Sequence, residues 1–394
     1  MKTKLNKADI TSVLPSLSSH LRLLHAVWKY SGVSRVDLAH SLGLDKSTVG
    51  AIVNELLEKK IIEEVEFGRS GPAGGRRPVA LAISRTVGTV AGIEIQPDVA
   101  RIQLIDVYGK ELCHYEEKRR ASLQETVFAM VRKALQLSGE RNLRLLGVGF
   151  GLAGIIDSIA GVIHSSIPLR VQTALPLADL VRKEFGIDVI VENDARCCAL
   201  NIVAFDMTEE ARDFVYILLE RHAVVDSNSY SPIGLGFSFV FDGRVHRGAS
   251  GSAGEFRSML WKPGNTSQFS INDVDLARMD EDAGIRQRLI GEIAAHVALF
   301  VNSLDVFSVR LGGDNNLANV ELAEAIAKTM ESNRPYRRSR TIAVKLDGAV
   351  PMVAKGAAAA YLECLMGSFD FYDTSFDLLS VLKEPDCRKR QALT

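Results

Sequence analysis

Ser34-Arg-Val-Asp-Leu-Ala-His-Ser-Leu-Gly43, continued by Leu44-Asp-Lys-Ser-Thr-Val-Gly-Ala-Ile-Val-Asn-Glu-Leu-Leu57, reads as two short helices meeting at a glycine turn. Ser34 is placed to cap the first helix, with Asp37 three residues on as a short-acid capping box. Gly43 stops that helix, and Asp45 caps the next. Val49, Ile52, Val53, Leu56 and Leu57 then fall on one apolar stripe, while Ser47, Gly50, Ala51 and Asn54 share the opposite face. Small and polar residues on the outer face of a second helix suit a reader of the DNA major groove. Lys46, Ser47 and Thr48 in its first turn are the candidates for phosphate and base edges, and Asn54 for a base further along. Ser34 and Arg35 are candidates for the DNA backbone. A solvated helical hairpin within a larger helical domain is the competing reading of the same pattern.

The flanking sequence bears on that choice. Upstream, Ser19 to Tyr30 has helical spacing and is stopped by Ser31-Gly32. Downstream, Ile61, Ile62 and Val65 make a short strand, and Val79 to Ile83 makes a second. Between them lies Phe67-Gly-Arg-Ser-Gly-Pro-Ala-Gly-Gly-Arg-Arg-Pro78, a β-hairpin wing whose Arg69, Arg76 and Arg77 suit a phosphate backbone or a narrow minor groove. An interdomain linker would also be rich in glycine and proline. Residues 1–82 hold twelve Lys/Arg against eight Asp/Glu in a chain of net charge −1, so the basic surplus belongs to this end.

The remaining three hundred residues alternate between strand and helix patterns. Strands are expected over 87–95, 100–107, 145–150, 189–191 and 214–219, and helices over 123–137, 177–185 and 195–204. A hairpin-like opening recurs at Gly234 to Gly243, which suggests two related α/β lobes with a cleft between them. With 394 residues, 47% apolar and 24% charged, the chain has the composition of a soluble globular protein of two or three domains. No apolar run approaches the roughly 20 residues of a membrane span, and Met1 to Leu23 does not read as a secretory signal. A cytoplasmic protein without membrane contact is the expectation. Five scattered cysteines fit reduced thiols better than a disulfide framework and lack zinc-site spacing.

Ser34 to Val49, Asn54-Glu-Leu-Leu57 and Gly75-Arg-Arg-Pro78 together resemble the DNA-binding part of the ROK family of repressors, open reading frames and kinases. Val191-Glu-Asn-Asp-Ala195 and Arg247-Gly-Ala-Ser-Gly-Ser-Ala-Gly-Glu-Phe256 extend the resemblance to the family's sugar-kinase portion, nearly to Leu365. It implies a winged helix-turn-helix over residues 1–83 followed by a two-lobed actin/hexokinase-like α/β domain over 84–394. By that resemblance Asn193 and Asp194 hold sugar hydroxyls, Asp194 occupies the position of the kinases' general base, and Glu255 is a further sugar ligand. Without the family match, Asn193-Asp194 also fits an ordinary capped turn between strand and helix.

The departures from the family pattern are informative. ROK kinases carry Asp-x-Gly-Gly-Thr where this chain has Glu94-Ile-Gln-Pro-Asp98, and branched Ile95, Gln96 and donorless Pro97 do not make a phosphate cradle. Arg257-Ser258 stands where a zinc-binding histidine is common, so neither zinc nor another cofactor is expected. The usual Pro-Asn is Pro168-Leu169. Gly234-Leu-Gly236 and Leu311-Gly-Gly313 match the nucleotide-side glycine turns, and they equally fit structural turns. The sequence therefore points to a DNA-binding regulator, a repressor of carbohydrate-related genes, controlled by a sugar-like effector and acting as a homodimer or homotetramer on operator DNA. An active sugar kinase with a DNA-binding module and a constitutive DNA-binding protein with a degenerate sensor are the alternatives. Residues 368–394 carry no assigned role.

Overall fold

The computed structural model describes residues 18–30, 32–65, 79–221, 232–334, 343–347, 352–367, 377–384 and 386. The chain begins with α1 (Ser19–Lys29), α2 (Arg35–Leu42) and α3 (Lys46–Glu58), then the antiparallel pair β1 (Ile62–Val65) and β2 (Ala80–Ile83). The cap residues act as the sequence requires. Ser34 and Asp37 form a reciprocal capping box, Gly43 is left-handed at φ 65°, and Asp45 accepts from the Thr48 amide. Val49, Ile52, Val53 and Leu56 are buried against α1 and α2, and a bridge from Val33 to Leu81 ties the α1–α2 turn to the hairpin.

The body contains two five-stranded sheets of the same plan. The first, in order β5-β4-β3-β6-β9, comprises β3 (Thr89–Ile95), β4 (Val99–Asp106), β5 (Glu111–Lys118), β6 (Leu145–Leu152) and β9 (Val189–Asn193). The second, in order β12-β11-β10-β13-β14, comprises β10 (Phe214–Arg221), β11 (Ile233–Phe241), β12 (Arg244–His246), β13 (Ser308–Gly313) and β14 (Ala343–Leu346). In each sheet the first strand pairs antiparallel with the second and parallel with the fourth, so the expected duplication of lobes is present. A small pair, β7 (Ile155–Asp157) and β8 (Val162–Ser165), lies beside the first sheet. Outer helices are α4 (Leu123–Glu140) and α5 (Leu177–Phe185) in the first lobe, and α7 (Asp273–Ala277), α8 (Ala283–Leu304) and α9 (Val320–Ser332) in the second.

Between the sheets run α6 (Asp194–Phe205) and α10 (Met352–Leu365). The former packs on β10 and β11, the latter on β3 and β6, and the two helices pack on each other. This approach is close because glycine and alanine line it. A Cβ on Gly149 would lie 1.8 Å from the Ala357 carbonyl oxygen, and one on Gly356 would lie 1.9 Å from that of Cys197. Beyond α10, the short α11 (Leu378–Lys383) places Leu378 and Val381 in the same apolar core, and Arg144 donates to the Leu382, Val381 and Glu384 carbonyls. The N-terminal helices share that core with α6 and α10. Trp28 Nε1 donates to the Val107 carbonyl at 2.6 Å, and His25 Nδ1 lies 3.2 Å from that of Met366. Among the described residues no helix is long and apolar enough to cross a membrane.

Candidate functional site

The outer face of α3 gathers most of the described residues expected to meet DNA. Lys46, Ser47 and Asn54 are exposed, and Thr48 is half-buried. Both hydroxyls are used locally: Ser47 and Thr48 donate to Asp45, the latter at 2.7 Å, and these donors hold the Asp45 carboxyl well below its usual range. Arg35 reaches the same face, donating to Asn54 Oδ1 at 3.3 Å and to Glu64 Oε1 at 3.1 Å. Ser34 is different. It is buried, its hydroxyl donates to Asp37 Oδ2 at 2.7 Å, and the structure gives it to the helix cap rather than to the exposed face. Arg69, Arg76 and Arg77 lie outside the described residues.

In the body, β9 ends at Asn193 and α6 begins at Asp194. Asn193 caps the helix by accepting from the Arg196 amide at 3.2 Å, and its Nδ2 donates to the Gly154 carbonyl at 3.2 Å. The capped-turn reading and the site reading thus fall on the same residue. Asp194 accepts from the Ala195 amide at 2.7 Å, and its side chain lines a cavity of about 10 Å³ with Glu94, Gln96, Pro97, Leu169 and Glu220. Glu94, Gln96 and Glu220 also line a neighbouring cleft of about 640 Å³. Glu255 is exposed and does not line the small cavity, but crowding by protein atoms and then the Asp194 charge push its carboxyl up.

Sequence reasoning missed two features of this site. One is Glu220, at the end of β10, which brings a third carboxylate to the cavity. Gln96 Nε2 donates to Glu94 Oε1 at 2.8 Å and to Glu220 Oε1 at 3.0 Å, bridging the two lobes. Burial raises the Glu94 carboxyl, and it raises that of Glu220 further, with Asp194 and Glu94 adding like-charge repulsion. Asp194 is raised by burial as well. The other feature is the fully buried Glu192. Its Oε1 accepts from Arg196 Nε at 2.6 Å, and its Oε2 accepts from Arg247 Nη2 at 2.9 Å. Burial opposes its charge, yet the two guanidinium groups outweigh that and hold its carboxyl down at about 2. Arg196 also donates to the Gly251 carbonyl at 2.6 Å and to that of Ile156 at 3.1 Å, so it fixes the glycine-rich turn that precedes Glu255. The acid beside Asn193-Asp194 and the arginine three residues after Asn193 were visible in the sequence, but their pairing inside the fold was not.

The glycine pairs have structural work. Gly234 and Gly236 sit within β11, and a Cβ on Gly313 would lie 1.9 Å from the Leu219 carbonyl oxygen. At Glu94 to Val99 the turn is closed by the Gln96 amide donating to the Val99 carbonyl at 2.8 Å, so that amide is already used. The segment after Glu255 is held by protein groups: the Met259 amide donates to His296 Nε2 at 3.0 Å, and Gln268 Nε2 donates to the Phe256 carbonyl at 2.9 Å. Among the described residues no group of three His, Cys, Asp or Glu is placed to hold a metal ion.

A helix-turn-helix unit with a β-hairpin, packed on a duplicated α/β body with a carboxylate-lined interlobe cavity, defines a class of two-part proteins built on the actin/hexokinase-like plan. Residues 90–266 match the model of the ROK family. Similar curated proteins include the xylose repressor of Caldicellulosiruptor bescii, 28% identical over 230 residues, covering 57% of this chain and 53% of that one. The DNA-binding transcriptional dual regulator NagC of Escherichia coli is 24% identical over 267 residues, covering 66% and 62%. The chain thus spans about half to two thirds of the length of these relatives. Among solved structures, a ROK family transcriptional regulator homologous to the E. coli MLC protein superposes with a TM-score of 0.70 at 18% identity, covering 96% of this chain and 100% of that one. The ROK hexokinase of Thermus thermophilus superposes with a TM-score of 0.52 at 20% identity, covering 70% of this chain and 98% of its own. At these identities the likeness establishes the shared fold.

Proposed function

We propose that this chain is a DNA-binding transcriptional regulator, a repressor of carbohydrate-related genes, whose DNA affinity is set by a sugar or sugar derivative held between its lobes. Residues 1–83 form the reading unit in this proposal, with Arg35, Lys46, Ser47, Thr48 and Asn54 toward DNA and the wing arginines beside them. Residues 84–394 form the sensor, with Asn193, Asp194 and Glu255 toward the effector. The observation that carries the reading is the course of α6. Asp194 at its first residue lines the cavity, and the Val203 carbonyl near its last turn accepts from Lys29 Nζ of α1 at 2.7 Å. A shift of α6 on ligand binding is therefore transmitted to the helix on which the reading unit is built. The names of relatives, a xylose repressor and an N-acetylglucosamine repressor among them, support the same assignment.

The absence of phosphoryl transfer belongs to this proposal. In this reading the Glu94, Asp194 and Glu220 carboxylates, which line one cavity, are unfavourable neighbours for a transferred phosphoryl group, and Gln96-Pro97 stands in place of the flexible turn. The test uses the full chain on genomic fragments that it selects itself, with binding followed by fluorescence anisotropy while sugars are added. A sugar-dependent change in affinity, lost in Asp194→Asn, is expected. Failure of the chain to select any fragment above random DNA would overturn the regulator reading. Asp194 itself favours a second reading, an active sugar kinase, and ATP-dependent phosphorylation of a sugar that disappears in Asp194→Asn would establish it in place of the sensor.

A further inference from the structure

The interlobe cavity is rich in acceptors and poor in donors. Three of its side chains are carboxylates: Glu94, Asp194 and Glu220. Ionised, a carboxylate accepts hydrogen bonds on both oxygens and donates none; burial and mutual repulsion favour a retained proton among these three, and a cationic ligand would displace it. Against these stands Gln96 Nε2, a single amide nitrogen shared between Glu94 at 2.8 Å and Glu220 at 3.0 Å. Among the described residues no Lys, Arg or His side chain lines the small cavity.

The nearby cations are already engaged. Arg101 approaches Glu94 Oε2 at 3.5 Å, but its Nε donates to Glu116 at 2.7 Å and its Nη1 to Gln96 Oε1 at 3.2 Å. Arg196, whose charge acts on Asp194, is bound to Glu192 and to the Gly251 and Ile156 carbonyls. Arg221 pairs with Asp280 at 2.5 Å. The wall formed by Pro97, Pro168 and Leu169 adds no side-chain donor, and the prolines have no amide hydrogen.

We propose that the effector of this cleft is a sugar bearing hydroxyl and ammonium donors and no anionic group, so that phosphorylated sugars and sugar acids are excluded. The inference rests on the sensing reading above and adds the charge class of the ligand. A cavity of about 10 Å³ holds no more than one water, so a sugar enters only as the lobes part toward the cleft of about 640 Å³. The contact that must yield is Gln96 to Glu220, the hydrogen bond between the lobes at that point. Ligand hydroxyls then replace Gln96 as donors to Glu94 and Glu220, and an ammonium group neutralises a site where three acids repel one another. An incoming phosphate or carboxylate meets those same acids while the neighbouring guanidinium groups are held by other partners, and a like charge placed there opposes binding.

The experiment is a thermal-shift and calorimetric titration of the full chain at fixed ionic strength. The probes are glucose, galactose and mannose, each beside its amino sugar, its sugar phosphate and its uronic acid. At least one neutral or amino sugar raises the melting temperature, and its Kd is at least about tenfold tighter than that of its anionic counterparts. In Glu220→Gln, checked for native secondary structure by circular dichroism, the advantage of the amine over the parent sugar narrows. A sugar phosphate or uronic acid that binds as tightly as its neutral parent overturns the charge class while leaving sensing intact. Silence from the whole panel overturns the sensing reading, and the inference falls with it.

Discussion

Lys29 Nζ lies 3.0 Å from Glu363 Oε1 and 2.7 Å from the Val203 carbonyl oxygen, so one ammonium group joins α1 to both helices between the sheets. Glu363 has a side chain only 3% exposed, and Lys29 is 16% exposed. Removing the ammonium from a buried carboxylate costs more than the pair contributes in its place. Lys29→Ala is expected to destabilise the chain by roughly 3 kcal/mol, measured by urea denaturation. A double variant, Lys29→Met with Glu363→Leu, recovers much of that loss. If the proposed coupling runs through Lys29, the double variant loses sugar control of DNA binding, because the hydrogen bond to the Val203 carbonyl is gone while the fold remains.

Glu192 gives a pH signature of known sign. Its carboxyl is depressed to about 2 in the folded chain, against an ordinary value near 4.5, so its ion pairs stabilise the fold above that ordinary value. The contribution is lost as pH falls from about 4.5 toward 2 and is worth about 3 kcal/mol at neutral pH. Glu192→Gln should flatten the acid limb of the stability curve, seen as a smaller difference in Tm between pH 6 and pH 3 than in the parent chain. An unchanged acid limb would show that Arg196 and Arg247 find other partners.

Glu220 carries the opposite sign. Its carboxyl is raised well above the ordinary value by burial and by the Asp194 and Glu94 charges. Ionising it in the folded chain above the ordinary carboxylate range is therefore destabilising, and protonation relieves that cost. Glu220→Gln should raise Tm at neutral pH, with the gain shrinking as pH falls through the raised folded value toward the ordinary one and absent below it. A variant less stable than the parent at every pH would mean that the hydrogen bond from Gln96 outweighs the repulsion.

Legibility from the sequence followed the range of the interactions. The capped helices α2 and α3 were readable because Ser34, Asp37, Gly43 and Asp45 act on neighbours within four residues. The paired sheets were readable in part, since β3, β4 and β10 are apolar runs, whereas β5 is half-polar and escaped notice. Asn193 and Asp194 were singled out through their motif. Glu220 was not, because it enters the cavity only when β10 is laid beside β3 across 124 positions of chain to Gln96. Ser34 was read both as a helix cap and as a DNA-backbone contact, and its hydroxyl is taken by the cap, a bond three residues long. The tail was blank in sequence terms, and the described part of it docks through Arg144, a partner 237 positions away.

Arg35 and Asn54, read from the sequence as a backbone contact and a base contact, meet on the exposed face at 3.3 Å. Arg35 also binds Glu64, so its guanidinium is held beside α3 as a fixed cation, whereas the Asn54 amide retains a donor pair that the proposed reading gives to a base edge. Arg35→Ala is expected to weaken binding to all sequences and to lower the salt slope of log K by about one, as when one fewer phosphate is neutralised by the protein. Asn54→Ala should leave that slope unchanged and relax preference at one base position, at a cost of about 1–3 kcal/mol for the preferred sequence. Anisotropy titrations on the selected fragment and on single-base variants, each at several salt concentrations, distinguish the two. Equal slopes for both variants and the parent, with no change in base preference, would remove this face of α3 from the DNA interface.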